Sequence, residues 1–166
     1  MDSRIEPLVA ILQTNTRLFL NCLQGVDEPA GTTRISDRTN HMAFIAVHLV
    51  DARDYLLGTL GGEQVAPFTA YGLDAVSSID EVEKLPSLDE VREAWEEVSR
   101  RLVGRVGEVD SSVWDAEAPT QFPVDDPTTL GMLAFLMQHD SYHIGQLAFL
   151  RKHLGLGAMP YDEPDA

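Results

Sequence analysis

The sequence predicts an all-α fold, a four-helix bundle with a long crossover between its second and third helices. Two observations carry that expectation. Four stretches repeat apolar residues every three or four positions, the period of a helix face. Residues that start and stop helices bracket these stretches. No internal repeat or low-complexity segment competes with the reading, and 166 residues suit one domain over 1–166.

Ile5, Leu8, Val9, Leu12, Thr16, Phe19, Leu20 and Leu23 place the first helix at 4–23, with Gly25 as its stop. Cys22 lies beside that stripe as a small packing residue; it is the sole cysteine, so no intramolecular disulfide forms. Gly25, Pro29 and Gly31 punctuate 24–38, which reads as a loop. The second helix follows over 39–60, ended by Gly61 and Gly62, with His41, Ile45, His48, Ala52 and Tyr55 on its inward face. No sustained helical period appears from 61 to 86. That length spans a bundle and lets the third helix run parallel to the second, with Pro67, Phe68, Tyr71 and Leu73 over one end or flank.

Ser87 and Glu90 form a capping box, and Leu88, Val91, Trp95, Val98, Leu102 and Val106 carry the third helix to about 109. Pro119, Pro123 and Pro127 break up 110–126, a second crossover in which Trp114 plugs a bundle end. Asp126 as N-cap and Pro127 at the first helical position start the fourth helix, which runs to Gly155. The acidic tail 156–166 has little to bury and is expected to be mobile.

A net charge of −15, from 27 acidic against 12 basic side chains, excludes nucleic acid and anionic lipid as partners. The N-terminus lacks the basic and continuous apolar segments of a signal peptide, and no run reaches the roughly 18 apolar residues of a membrane span. With a single thiol, these features place the protein in the cytoplasm.

The fourth helix carries the chemistry. Met132, Leu136, His139, His143, Gln146 and Leu150 share one face, so two imidazoles one turn apart and an amide interrupt an apolar seam directed into the core. Groups buried there need partners, either a metal ion or hydrogen bonds from a neighbouring helix. If the second and fourth helices are neighbours, His48 joins His139 and His143, a set suited to Zn²⁺, Ni²⁺ or Fe²⁺ with a coordination position left open. Gln146 either hydrogen-bonds a ligand or is satisfied by a neighbouring helix. Asp51 either completes a His/carboxylate ligand set, hydrogen-bonds a ligand from behind, or is a solvated helix carboxylate, and Asp140 occupies the place of a metalloprotease base without that family's third-ligand motif. His41 and His153 fall outside the site, and the pocket walls are assigned to the two crossovers.

The stretch NHMAFIAVHLVDARDYLLGTLGG, followed far along the chain by HDSYHIGQLAFLRKHLG, resembles the DinB-like superfamily of metal-binding four-helix bundles. The resemblance rests on His48 and on the H-x-x-x-H-x-G-Q pattern of His139, His143, Gly145 and Gln146. It implies a divalent metal on His48, His139 and His143, and a homodimer. Its better-understood members are thiol-dependent, including mycothiol-dependent isomerases and bacillithiol S-transferases. The expected function is therefore a metal-dependent enzyme that activates water or a low-molecular-weight thiol against a small electrophile. The alternative is a non-catalytic, stress-linked metal-binding bundle.

Overall fold

The computed structural model describes residues 2–73 and 78–162. Six helices appear among them: α1 (Glu6–Leu23), α2 (Glu28–Gly31), α3 (Met42–Thr59), α4 (Leu88–Glu108), α5 (Ser111–Trp114) and α6 (Thr129–His153). The four long ones are α1, α3, α4 and α6, and no strand is present among the described residues. Helix α1 packs on α4 and α6, and α3 packs on the same two, so the long helices form a closed ring.

Two apolar clusters give the chain directions. One joins the end of α1 (Leu18, Phe19, Leu23) to the starts of α3 (Met42, Ile45) and α4 (Leu88, Val91) and the end of α6 (Leu147, Leu150). The other joins the start of α1, the ends of α3 and α4 and the start of α6, through Leu12, Leu56, Leu102 and Met132. Helices α3 and α4 therefore run parallel, as the length of the 60–87 connection allows. Asp54 pins the first turn of that connection, its carboxylate accepting from the Val65 and Ala66 N–H groups at 2.7 and 3.0 Å. Phe68 and Leu73 are buried against the first cluster.

The connection from α4 to α6 is not a second crossover. Both helices meet it at the same end, because Leu102, Val106, Met132 and Leu133 share one cluster. The segment passes over that end with Trp114 fully buried as its plug. The start of α6 also differs from expectation. Thr128, not Asp126, is the N-cap, its hydroxyl accepting from the Gly131 N–H at 3.3 Å, while Asp126 accepts from the Thr128 N–H at 3.0 Å. A Cβ at Gly131 would overlap the Asp126 carbonyl oxygen, so this turn needs glycine.

Within 24–38, Asp27 caps the short helix α2, and Glu28 reaches across to accept from the Leu88 N–H at 2.6 Å. The expected capping box of α4 is present, with Ser87 and Glu90 bonded reciprocally. Along the tail, the carbonyls of Pro160 and Asp162 both accept from the Asn21 side-chain amide at 2.9 Å. Residues 163–166, included in the expected mobile tail, lie outside the described residues. Among the described residues no helix is long and apolar enough to cross a membrane.

Candidate metal centre

Two polar layers lie between α3 and α6, and the sequence pointed to one of them. The deeper layer is Arg53 of α3 and Asp140 of α6, both buried. Arg53 stands at the helical spacing of Leu49, Val50, Leu56 and Leu57, which form the true inward stripe of α3. Four of its five N–H donors make hydrogen bonds, and the fifth lies on Nη2 beside the Asp140 carboxylate. Nε and Nη2 face the Asp140 carboxylate at 2.8 Å. Nη1 donates to Thr16 Oγ1 and Ser99 Oγ at 2.7 and 2.6 Å, and Nη2 also donates to Leu12 O at 3.3 Å. The guanidinium lies 3.7 Å over the Trp95 ring. Asp140 is thus a structural carboxylate bound to a buried cation, not a base beside the histidines.

The second layer is the histidine cluster, and it sits further out than the expected inward seam. His139, His143 and Gln146 are half-buried and His48 is exposed, because the core-facing stripe of α6 runs through Leu133, Leu136, Met137, Asp140, Ile144 and Leu147. Tyr55, also expected inside, is exposed. The adjacency of α3 and α6 nevertheless brings His48, His139 and His143 together, each offering one nitrogen and all of these within 4.8 Å of one another. His48 Nε2 and His139 Nε2 are 3.0 Å apart. Nitrogens bound at about 2.1 Å to one cation stand about 3.0–3.4 Å apart at right-angled or tetrahedral positions. The His48–His139 pair therefore already has ligand spacing.

His143 Nδ1 lies 2.7 Å from Gln146 Oε1. An amide oxygen only accepts, so Nδ1 carries the proton and the Nε2 lone pair is left for a cation. The spacing that put Gln146 one turn beyond His143 on a shared face thus gives it a defined role in fixing a tautomer. Burial, and then the neighbouring imidazoles of His143 and His48, lower the pKa of His139 to about 4; crowding of the His48 ring by surrounding protein, which desolvates it although the residue as a whole is exposed, and then His143 lower that of His48. Both rings are therefore neutral at pH 7, as ligation requires. His139 Nδ1 is buried without a hydrogen-bond partner among the described residues, a local cost in either tautomer.

Aromatic rings surround the cluster. Phe135 lies 6.2 Å from the His139 ring and stacks on Phe122 at 5.1 Å, while Tyr142 meets His143 edge-on at 5.1 Å. Asp51 borders a small depression shared with His48. His41 lies apart as the N-cap of α3, its Nδ1 accepting from the Phe44 N–H at 3.1 Å. His153 ends α6 on the surface.

A 520 Å³ cavity adjoins Gln146 and Tyr142. One of its walls comes from residues 35–40, in the connection before α3, and not from the two later connections where sequence reasoning placed the pocket.

A family model described as the DinB superfamily matches residues 11–147, most of the chain and all three histidines. No curated protein matches the chain. The protein belongs to the DinB superfamily.

Proposed function

We propose that this member of the DinB superfamily is a metal-dependent enzyme, using a divalent ion on His48, His139 and His143 to activate water or a low-molecular-weight thiol against a small electrophile. The observation that supports it is a trio of imidazoles gathered at an open edge of the bundle, two of them, His48 and His139, held neutral at pH 7, with His48 exposed. Zinc, nickel and iron(II) all accept three such nitrogens.

When bound, the ion supplies a Lewis acid that lowers the pKa of water or a thiol beside it. The chain's own residues do the rest. Gln146 fixes the tautomer of His143 and so aims its Nε2 lone pair. Phe135, backed by Phe122, packs beside the His139 ring. Exposed His48 leaves room for a substrate to approach. The same proposal extends to a cytoplasmic homodimer, on the strength of the single thiol and the family resemblance.

The test is a turnover screen of zinc-, nickel- and iron-loaded protein. Mycothiol, bacillithiol and glutathione are each paired with small electrophiles, and esters and amides are offered without thiol. Turnover that His143→Ala abolishes is expected. A fully loaded protein inert toward the whole panel would contradict the enzymatic reading and leave a metal-binding bundle without catalysis.

A further inference from the structure

The cavity beside the histidines has a composition unlike the rest of this acidic chain. None of its lining residues is acidic, although the sequence holds 27 carboxylate side chains. Its one charge is Arg38, whose guanidinium makes no hydrogen bond or ion pair among the described residues. The backbone around Arg38 is held in place by Arg34. That side chain donates from Nε to Thr39 O at 2.7 Å and from Nη2 to Asp37 O, and pairs through Nη1 with Asp80 at 2.7 Å. Arg38 is thus an uncommitted cation on a pinned loop.

The opposite wall is α6. Tyr142 and Phe149 line it while 58% and 63% exposed, large apolar area that the bundle itself does not cover. Buried Ile45 contributes to the same lining. Between the aromatic residues sits Gly145, where an added Cβ would meet nothing within 4 Å. Glycine inside a helix costs about 1 kcal/mol against alanine, and no neighbour here requires it. The space that it leaves is part of the cavity. Gln146, next in sequence, lines the cavity and contacts His143, so the site is continuous with the histidine cluster.

We propose that this cavity binds a small organic carboxylate with an apolar or aromatic body. The carboxylate pairs with Arg38, and the body lies over Gly145 against Tyr142 and Phe149, which directs the far end toward Gln146. A volume of 520 Å³ falls within the roughly 300–1,000 Å³ of small-molecule sites. This names the substrate class for the proposed enzyme and rests on that reading only for the reaction, not for binding.

The test is a ¹H–¹⁵N NMR titration of the full chain with 4-phenylbutanoate and with its neutral counterpart 4-phenylbutanamide, alongside a zinc titration. Saturable shifts at the amides of 38–40 and 145–149 are expected, with the acid binding about tenfold more tightly than the amide, the value of one charge-assisted hydrogen bond. Arg38→Gln should remove that difference without changing amide affinity. Gly145→Leu should fill the cavity and abolish both, with zinc uptake and thermal stability retained. Equal affinity for acid and amide, insensitivity to either substitution, or no saturable binding would each overturn the proposal. Zinc uptake without phenylbutanoate binding defeats this inference alone; phenylbutanoate binding without zinc uptake defeats the metal reading alone.

Discussion

Arg53 and Asp140 meet at 2.8 Å with 1% and 2% of their side chains exposed, and Asp140 is the residue next to His139. The pair ties α3 to α6 beside the centre, Asp140 adjoining His139 on α6 and Arg53 standing about one and a half turns beyond His48 on α3, so a buried ion pair helps to set the frame of the centre. Removing one partner strands the other charge in the core. Asp140→Ala should therefore lose about 3–5 kcal/mol in urea unfolding. An Arg53→Met/Asp140→Leu double variant should recover much of that. A loss below about 1 kcal/mol for the single variant would show that the pair does not anchor the helices.

Gln146 should matter to metal affinity without mattering to the fold. It holds His143 in one tautomer and is only half-buried. Gln146→Leu is expected to weaken zinc about 10- to 100-fold in a chelator competition, with unchanged thermal unfolding of the metal-free protein. Unchanged affinity would mean that the tautomer is set by something else.

These two residues mark what the sequence conveyed and what it hid. The periods, with the capping box of α4, located the four long helices, and the length of the connection between α3 and α4 allowed the parallel run that the fold adopts. The inward faces were harder to read. Both α3 and α6 are apolar around much of their circumference, so a seam drawn through the histidines looked continuous while the true stripe lay beside it through Arg53 and Asp140. Arg53 was legible in principle, standing three or four residues from Leu49, Val50, Leu56 and Leu57. The cavity wall was not, because loop 34–39 is shaped by Arg34 bonding to backbone carbonyls and to distant Asp80, which no local pattern announces.

The helix glycines should separate by what surrounds them. At Gly131 a Cβ overlaps the Asp126 carbonyl, so Gly131→Ala should cost about 1–3 kcal/mol. At Gly145 a Cβ meets nothing, so Gly145→Ala should gain up to about 1 kcal/mol from helix propensity. Chemical denaturation of the two variants checks both signs, and a loss at Gly145 would contradict the open space described there.

His41 gives the fold a pH dependence separate from the centre. It is buried, and burial lowers its pKa below the ordinary 6.5, with nearby Arg34 adding to the effect. The neutral ring accepts the Phe44 N–H as the α3 cap. Because the folded pKa lies below the unfolded one, the contribution is fully present above pH 6.5 and is lost as pH falls through the folded value. The cap is worth about 1 kcal/mol. His41→Asp should retain a cap and reduce the slope of stability against pH between 7 and 5 in the metal-free protein, leaving the share contributed by His48 and His139; a slope that the substitution leaves unchanged would refute the role.

The central claim is that His48, His139 and His143 hold one divalent ion, and metal content by mass spectrometry addresses it most directly. Untagged protein purified without chelator should carry about one zinc, nickel or iron per chain, and His143→Ala should carry none while remaining folded. Wild-type protein that holds no metal and takes up none on reconstitution with any of the three would contradict the account.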